Sequence, residues 1–362
     1  MKKTTLLFCC VLLVNAFNAR AQNVRKYSNE FLSIGVGGRG LAMSSSVTSS
    51  VDDATATYWN PAGLTQIKNN FQVSAMHAEY FAGIAKLDYG AVAIPLKDQK
   101  RVIGISMIRF AVDDIPNTLN LFEDDGSINY DNIRSFSVGD YAFGFSYAQK
   151  TAVQGLTFGG NFKLIYRKAG SFANAWGFGM DAGLQYRVKK FRLGFMARDV
   201  TGTFNAWNYN FSEEEKEVLA ATGNEIPSSS LEITLPRFIL GLGYEFSIKN
   251  NFFILPEFNF DMTTDGKRNV LLKTNSVSID PRFGLELNYS RIVFIRGGIG
   301  NIQKSTDDLG KPITTFQPTI GGGIRIKSVS IDYAFTDIGN ASEALYSHVF
   351  SINLGINKRK QQ

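Results

Sequence analysis

Alternation of apolar with polar or small residues runs through most of this chain, from residue 71 to residue 357. In the last such segment Phe350, Ile352 and Leu354 alternate with Ser351 and Asn353. Fourteen segments of this kind follow one another: 71–80, 87–96, 102–110, 140–149, 156–168, 176–188, 191–200, 237–247, 252–262, 278–289, 292–300, 318–326, 329–335 and 348–357. Because an even number of antiparallel strands can close without an unpaired edge, we predict an all-β chain that forms a transmembrane antiparallel β-barrel of about 14 strands.

The connections between these segments fall into two classes. Those after even-numbered strands are short, namely 97–101, 151–155, 189–190, 249–250, 290–291 and 327–328. Those after odd-numbered strands are mostly longer, notably 111–139, 201–236, 263–277 and 301–317. This alternation places all turns at one end of the barrel and all loops at the other, as in outer-membrane barrels with periplasmic turns and extracellular loops. A soluble sandwich with Greek-key crossings would not sort its connections in this way.

The N-terminus has the three parts of a secretory signal peptide. Two lysines precede the apolar run 6–14, and residues 19–21 read Ala-Arg-Ala, which matches a cleavage site. We therefore expect residues 1–21 to be removed and the mature chain to begin at Gln22. An outer-membrane location is consistent with such an export signal.

Composition after cleavage excludes several classes of protein. Both cysteines, Cys9 and Cys10, lie in the signal peptide, so the mature chain should contain no thiol, no disulfide and no cysteine metal site. A lipoprotein acylated at Cys10 is disfavoured because Phe8 and Cys9 are bulky at the preceding positions. Cleavage leaves 35 basic and 32 acidic residues, a balance that gives no support to a nucleic-acid partner. No run of 18 apolar residues follows the N-terminus, which argues against a helical membrane protein.

The stretch from residue 35 to residue 64 is rich in Gly, Ser, Ala and Thr and has no long helical or strand period. Because small residues let backbones approach closely, we predict a compact hatch packed inside the barrel. Its defining residues are Gly35, Gly37, Gly38, Gly40, Asp52, Asp53, Trp59, Asn60, Pro61, Ala62 and Gly63. The run 35–40 also matches the dinucleotide pattern G-x-G-x-x-G, but no strand–helix unit surrounds it, so tight turns are the favoured interpretation.

Ionisable residues in the strands fall on the polar face of the alternation. They are Lys163, Arg167, Arg198, Glu257, Asp261, Asp280, Arg282, Glu286, Arg325 and Asp332. An arginine facing lipid at the midplane costs roughly 2–4 kcal/mol, so this sorting indicates a wet or ion-paired lumen. Because both positively and negatively charged side chains are present, we favour ion pairs over a charge-selective pore.

The third strand breaks its own alternation. Ile105 and Met107 hold one phase, whereas Ile108 and Phe110 hold the other, which predicts a bulge or kink. Such a phase change could open the wall sideways, which makes these four residues a candidate lateral opening. A local register adjustment without a role is the alternative.

The sequence offers little that could carry chemistry. His77 and His348 are the only histidines, and neither stands in a recognisable arrangement with a carboxylate and a serine. Two acidic clusters occur in the 111–139 loop, 113–114 and 123–125, without the spacing of a calcium loop. Residues 213–219 should form a short surface helix. We therefore expect no enzymatic activity, no cofactor and no metal.

The N-terminal motifs resemble those of a known family. The run 31–35 reads Phe-Leu-x-Ile-Gly, 37–43 reads Gly-Gly-Arg-Gly-Leu-Ala-Met, 52–56 reads Asp-Asp-Ala-Thr-Ala, and 58–64 reads Tyr-Trp-Asn-Pro-Ala-Gly-Leu. Together they resemble the PorV/PorQ family of Bacteroidetes outer-membrane proteins, which is similar to the FadL long-chain fatty acid channels. The chain differs in having serines at 44–46, and in ending with a basic tail instead of a terminal aromatic residue.

The resemblance implies a domain organisation and two functions. The domains would be a signal peptide at 1–21, a hatch at 22–70, the barrel at 71–357 and a tail at 358–362. The first function is that of a component or cargo shuttle of type IX protein secretion, with secretion partners and cargo C-terminal signal domains as ligands. The alternative is a FadL-like passive channel for hydrophobic small molecules such as long-chain fatty acids. A continuous apolar pocket reaching from the loops to the third strand would favour the channel, and a sealed, ion-paired interior would favour the shuttle.

Overall fold

The computed structural model describes residues 28–123, 125–227, 230–249, 251–306, 310–336 and 346–357. The expected signal peptide and C-terminal tail lie outside these ranges, as does Asp124 of the second acidic cluster. The strands are β1 Phe71–Tyr80, β2 Ala85–Pro95, β3 Arg101–Asn117, β4 Arg134–Lys150, β5 Leu156–Ala169, β6 Ala173–Val188, β7 Phe191–Arg198, β8 Thr203–Tyr209, β9 Ser230–Thr234, β10 Arg237–Tyr244, β11 Phe246–Lys249, β12 Phe252–Thr263, β13 Leu272–Lys273, β14 Ser278–Tyr289, β15 Val293–Thr306, β16 Pro312–Ile326, β17 Val329–Thr336 and β18 Ser347–Ile356.

Helical structure is short throughout the described residues. The α-helices are Gly38–Ala42, Ala56–Trp59 and Glu213–Ala221, and the 3₁₀ helices are Glu30–Ser33, Pro61–Gln66 and Tyr130–Asn132. None of the helices described is both long and apolar enough to cross a bilayer. The helix predicted at 213–219 is present and begins with a capping box between Ser212 and Glu215.

Fourteen of these strands form a closed antiparallel ring. Its order is β1-β2-β3-β4-β5-β6-β7-β10-β12-β14-β15-β16-β17-β18. The ring closes where β1 pairs with β18, from Phe71 opposite Ile356 to Glu79 opposite His348. The remaining strands lengthen the wall: β8 continues β7 along β6, β9 pairs with β8, β11 continues β10, and β13 pairs with β14. The predicted fourteen-stranded barrel is confirmed.

Two neighbouring strands of the wall are interrupted at the same height. Residues 199–202 separate β7 from β8, and residues 235–236 separate β9 from β10. Asp199 and Gly202 both have positive φ, 54° and 68°, which bends the chain out of the ladder. Pro236 has no backbone N–H to donate to a neighbouring strand. The sequence analysis placed 201–236 in a loop and missed this continuation of the wall.

The tight turns lie where they were predicted, but the loop-end boundaries differ. The turns at 189–190 and 327–328 contain only two residues, the first with φ 52° in each case. At the other end β3 continues to Asn117 and β4 begins at Arg134, so both ends of the predicted loop 111–139 are strand and only residues 118–133 connect them. Hydrophobic alternation could not show this, because beyond the apolar band both faces of a strand are polar.

The third strand is regular where the sequence predicted a kink. Its ladders with β2 and β4 continue without a register shift from 102 to 112, and the shift lies between Val112 and Ile115. Ile105 and Met107 point outward, whereas Ile108 is buried on the inner face. Ile108 and Phe110 are apolar because they pack against the apolar core inside the barrel. The predicted position of the bulge is therefore wrong.

Candidate functional site

The N-terminal segment, residues 28–70, lies inside the barrel and touches its wall on many sides. Glycines of the strands mark the contacts, because a Cβ at each would collide with the segment. A Cβ at Gly159 would lie 2.6 Å from the Pro61 carbonyl carbon, and one at Gly194 would lie 2.4 Å from the Thr48 oxygen. A Cβ at Gly298 would lie 2.5 Å from the Met43 carbonyl carbon.. These glycines allow the backbone of the wall and the backbone of the segment to touch.

The glycines of the run 35–40 are required for two reasons, backbone conformation and close packing. Gly35 and Gly37 have φ 103° and 77°, a conformation that side chains disfavour. Gly38 and Gly40 are needed for close packing, since a Cβ would lie 2.8 Å from the Asp332 oxygen and 2.7 Å from the Trp59 ring, respectively. The run therefore serves turns and contacts within the lumen, as the sequence analysis favoured.

The run 59–63 joins the segment to itself and to the wall. Trp59 Nε1 donates to the Val36 carbonyl at 2.9 Å. Asn60 Nδ2 donates to the carbonyls of Thr48 and Leu184, each at 3.0 Å, and its Oδ1 accepts from the Ala62 amide. Pro61 and Ala62 adjoin Gly159, and a Cβ on Gly63 would lie 2.5 Å from the Val51 oxygen. Asn60 thus fixes the path of the segment at the point where it meets β6.

The two adjacent aspartates of the segment have different environments. Asp52 pairs with Arg39 at 3.1 Å. Although burial opposes ionisation, the charge of Arg39 and of other arginines keeps the pKa of Asp52 below its usual range. Burial, and then the nearby charge of Asp52, raise the pKa of Asp53 despite hydrogen bonds from the amide and hydroxyl of Thr55. One carboxyl is therefore held charged and its neighbour is driven toward the protonated form.

A chain of ion pairs fixes Arg39 to the wall. Arg39 Nε lies 2.9 Å from Glu286 Oε2, and the same oxygen accepts from Arg296 Nε at 2.8 Å. Arg296 Nη1 then reaches Asp332 at 2.7 Å. The sequence analysis placed Glu286 and Asp332 on the polar face but did not identify Arg39 or Arg296 as partners.

The loop-side half of the lumen contains further ion pairs. Lys163 bridges Asp181 and Asp199 at 2.8 and 2.6 Å, and Arg167 lies 2.7 Å from Asp140. Asp261 pairs with Arg237, and Arg282 with Asp280. The predicted lumen ion pairs are therefore present for seven of the ten residues named from sequence.

The other three make hydrogen bonds instead. Arg198 donates to the Tyr58 carbonyl and its guanidinium lies 4.4 Å from the Tyr58 ring centre. Glu257 is fully buried and accepts from the Ser49 amide at 2.7 Å. Arg325 donates to the Ser330 hydroxyl.

A cavity lies above the N-terminal segment. It runs from Arg268 near the loop end to Ser106 and Ile108 on β3 and to Ala142 and Gly144 on β4. The cavity volume is about 80 Å³. Small inward-facing residues on β3 and β4 border this space on one side, and charged side chains border it on the other, among them Lys163, Asp181, Arg198 and Arg237.

The same cavity adjoins the interruption of the wall. Asp199 lies in the gap between β7 and β8, Leu235 lies in the gap between β9 and β10, and both line the cavity. The candidate opening predicted at Ile105, Met107, Ile108 and Phe110 has complete ladders on both sides, and of these four residues only Ile108 lines the cavity.

The remaining residues singled out by sequence lie away from the lumen. His77 Nδ1 is 2.7 Å from Asp88 on the outer face, and His348 contacts the Tyr333 hydroxyl at 2.8 Å. In the loop between β3 and β4, Glu123 accepts hydrogen bonds from two asparagine side chains.

Solved structures share this architecture. The CymD monoaromatic hydrocarbon channel superposes with a TM-score of 0.54 at 14% identity, over 90% of this chain and 98% of that chain. The toluene transporter TodX of P. putida gives 0.53 at 14% identity, over 90% and 99%. The toluene transporter TbuX of Ralstonia pickettii gives 0.51 at 13% identity, over 89% and 99%. The wall is that of a FadL-like barrel.

No protein-family model matches the chain, and no curated protein matches it in sequence. At 13–14% identity the likeness concerns the fold. The properties of the site must therefore be argued from this chain's own residues.

Proposed function

We propose that this protein is an outer-membrane FadL-like channel that admits a hydrophobic small molecule passively, without catalysis. The observation that carries the proposal is the cavity that reaches from the loop end to the inner face of β3 and β4. A continuous apolar pocket of this extent is the feature predicted to favour a channel; this cavity reaches Ile108 and Ala142 as that prediction requires, but charged side chains such as Lys163 also line it. The solved structures that share the fold are described as transporters or channels for toluene or monoaromatic hydrocarbons, which supports the same class of ligand.

The exterior of the barrel supports a membrane location. Outward-facing side chains on β6 are large and apolar, with Trp176, Phe178 and Met180 exposed by 53%, 50% and 45%. Tyr166 stacks beside Trp176 with ring centres 4.7 Å apart at the loop end of this band. Apolar bands bordered by aromatic residues are typical of barrels in lipid. The export signal expected at residues 1–21 agrees with the outer membrane.

The N-terminal segment makes a straight path through the barrel impossible in this conformation. A molecule that enters the cavity therefore leaves either sideways or after movement of the segment, which then acts as a hatch. The gaps at 199–202 and 235–236 adjoin the cavity, whereas β3 is hydrogen-bonded throughout its predicted opening. The interrupted strands are thus the better candidate for a lateral exit.

Filling the cavity tests the channel. Ala142 is buried on the inner face of β4, so Ala142→Phe should occupy the cavity and reduce uptake of a hydrophobic probe such as toluene at least tenfold. Overpacking should cost about 1–3 kcal/mol of stability, which a folded barrel can absorb. Uptake is measured with labelled toluene in cells that express the chain.

The matched control is Ala182→Phe, at an outward-facing position of β6. It adds the same side chain on the lipid side and should leave uptake unchanged. Equal uptake by the Ala142→Phe, Ala182→Phe and unaltered proteins, with each barrel shown to be folded, would contradict the channel.

A component of type IX secretion of the PorV/PorQ type is the second candidate. It is supported by the N-terminal motifs, whose residues 38–40 and 59–63 seal the lumen, and by the ion pairs that surround them. In that case the loops would bind secretion partners or cargo C-terminal signal domains. Co-purification from gently solubilised membranes distinguishes the two functions: such partners would support secretion, and bound hydrophobic ligand without them would support the channel.

A further inference from the structure

The two ends of the barrel differ in charge. Exposed basic residues border the tight turns, namely Lys68, Lys97, Lys100, Arg101, Lys150, Lys189, Lys190, Arg291 and Lys327. Acidic residues are concentrated at the loop end, namely Asp113, Asp114, Glu123, Asp125, Asp131, Glu213, Glu214, Glu215, Glu217 and Glu225. The loop end also carries exposed basic residues, namely Lys168, Lys267, Lys273 and Lys304, so charges of both signs are mixed there, whereas basic residues dominate the turn end.

Acidic residues at the turn end compensate only part of the positive charge. Asp98 lies 2.6 Å from Arg101, which leaves Lys97 and Lys100 of the same turn without that carboxylate. Glu245 pairs with both Arg192 and Arg291. The described turn end therefore carries a net positive charge.

These basic residues follow the perimeter of the barrel. Lys97 and Lys100 stand in one turn, Lys189 and Lys190 in another, and Lys327 in a third. Lys150 and Arg291 border two more turns. A partner protein would cover one sector of the rim, whereas lipid headgroups surround all of it.

Aromatic residues lie directly beside this basic rim on the outer surface. The tilted rings of Phe252 and Tyr289 lie with their centres 4.7 Å apart, and those of Tyr244 and Phe246 with their centres 4.6 Å apart. All four are exposed, with fractions of 42–50%. Such a girdle marks the level of the lipid headgroups. The lysines just beyond it would lie at the level of the phosphates, where basic residues attract anionic lipid.

We propose that the turn end of this barrel preferentially binds anionic phospholipid headgroups along the rim formed by these lysines and arginines. This inference rests on the membrane location in the proposed function but not on transport. It also fixes the orientation: the turns face a leaflet that contains anionic phospholipid, and the acidic loops face away from it.

Lipid retention by the full-length barrel tests the inference. The protein is reconstituted in vesicles of phosphatidylcholine with an equal amount of phosphatidylglycerol, extracted gently, and weighed with its bound lipids by native mass spectrometry. We expect at least fivefold enrichment of phosphatidylglycerol, falling as salt is raised because exposed charges are screened.

The decisive variant carries Lys97→Gln, Lys189→Gln, Lys190→Gln and Lys327→Gln, and its enrichment should fall close to one. A matched control carries Lys168→Gln, Lys267→Gln, Lys273→Gln and Lys304→Gln at exposed positions of the loop end. The control should keep the enrichment of the unaltered protein.

If the unaltered protein shows no enrichment of phosphatidylglycerol, the inference is overturned. Equal loss of that enrichment in both variants would also overturn it. Either result would assign the basic rim to a different anionic partner or to none. Enrichment without toluene uptake would reject the proposed channel and leave the lipid site standing. A chain that enters no vesicle would reject the membrane location itself.

Discussion

The two halves of the lumen are built in opposite ways. Toward the turns, the N-terminal segment fills the bore so closely that wall glycines touch its backbone, as Gly194 touches Thr48 and Gly159 touches Pro61. Toward the loops, residues 28–33 of the segment form only one border of an open cavity, and long charged side chains of the wall pair around it. The same wall therefore supports a packed core at one end and a solvated vestibule at the other.

The difference shows which inward-facing residue each half requires. Where chain packs against wall, small residues are needed on both sides, and an ionisable side chain is either ion-paired, as Arg39 is with Glu286, or hydrogen-bonded, as Glu257 is to the Ser49 amide. Where the lumen is wet, charges are tolerated and shape is less constrained. Substitutions in the filled half should therefore cost more stability than similar ones in the open half or on the loops.

Arg39→Ala should have the largest effect on stability. It removes a buried cation, leaves Glu286 with Arg296 as its remaining partner in that chain of ion pairs, and takes from Asp52 the arginine that it pairs with. Breaking a buried pair costs about 3–5 kcal/mol, and the surviving partner places the expected loss near the lower end. The measurement is equilibrium unfolding in detergent, followed by far-ultraviolet circular dichroism.

Lys216→Ala is the control for Arg39→Ala. Lys216 pairs with Glu213 on the surface helix of the longest loop, where the Glu213 side chain is 86% exposed. Exposed pairs contribute about 0–1 kcal/mol, so this variant should unfold almost like the original chain. If Arg39→Ala and Lys216→Ala lowered the free energy of unfolding equally, the filled half of the lumen would not depend on its ion pairs more than the exposed loop does.

Gly194→Ala should have the next largest effect. The new Cβ would lie 2.4 Å from the Thr48 oxygen and 2.6 Å from its carbonyl carbon, and backbone cannot rotate away as a side chain can. Forced overpacking of this kind costs about 1–3 kcal/mol. The same unfolding measurement applies.

Gly90→Ala is the matched substitution, in a strand whose glycine has no atom within 4 Å of the added Cβ. Its stability should change by less than about 0.5 kcal/mol. If Gly90→Ala lost as much stability as Gly194→Ala, strand glycines would be required for the conformation of the strand backbone and not for contact with the N-terminal segment.

The barrel could be predicted from sequence because its alternation is imposed by lipid on one face and polar contents on the other. The phase of β3 was misjudged for a physical reason: Ile108 and Phe110 are apolar toward the lumen because the interior there is a packed core. The continuation of the wall through β8 was missed because residues 203–209, which do alternate, follow the gap at 199–202.

The site was predictable in part. The motif residues 35–40 and 59–63 pack closely against each other and against strand glycines, and their small side chains indicate such packing from sequence. Their partners were not predictable, because Arg39 and Glu286 stand 247 positions apart and only the register of the strands brings them together. The cavity also escaped prediction, since it depends on small residues of β3 and β4 meeting at one height.

The smallest predicted effect concerns Asp53, whose pKa is raised by burial and by the adjacent charge of Asp52. The folded chain thus binds a proton at Asp53 more tightly than the unfolded chain, so this contribution to stability is complete below the ordinary aspartate range and is lost as pH rises through the raised pKa. Asp53→Asn keeps an acceptor for Thr55 and cannot ionise, so its stability relative to the original chain should increase with pH across that window.

Asp52→Asn should show the opposite slope, because Arg39 holds the pKa of Asp52 low and the contribution of Asp52 to stability is lost as pH falls. Parallel pH profiles for the two variants, from unfolding curves at each pH, would contradict the assignment of one charged and one proton-binding carboxyl to the filled half of the lumen.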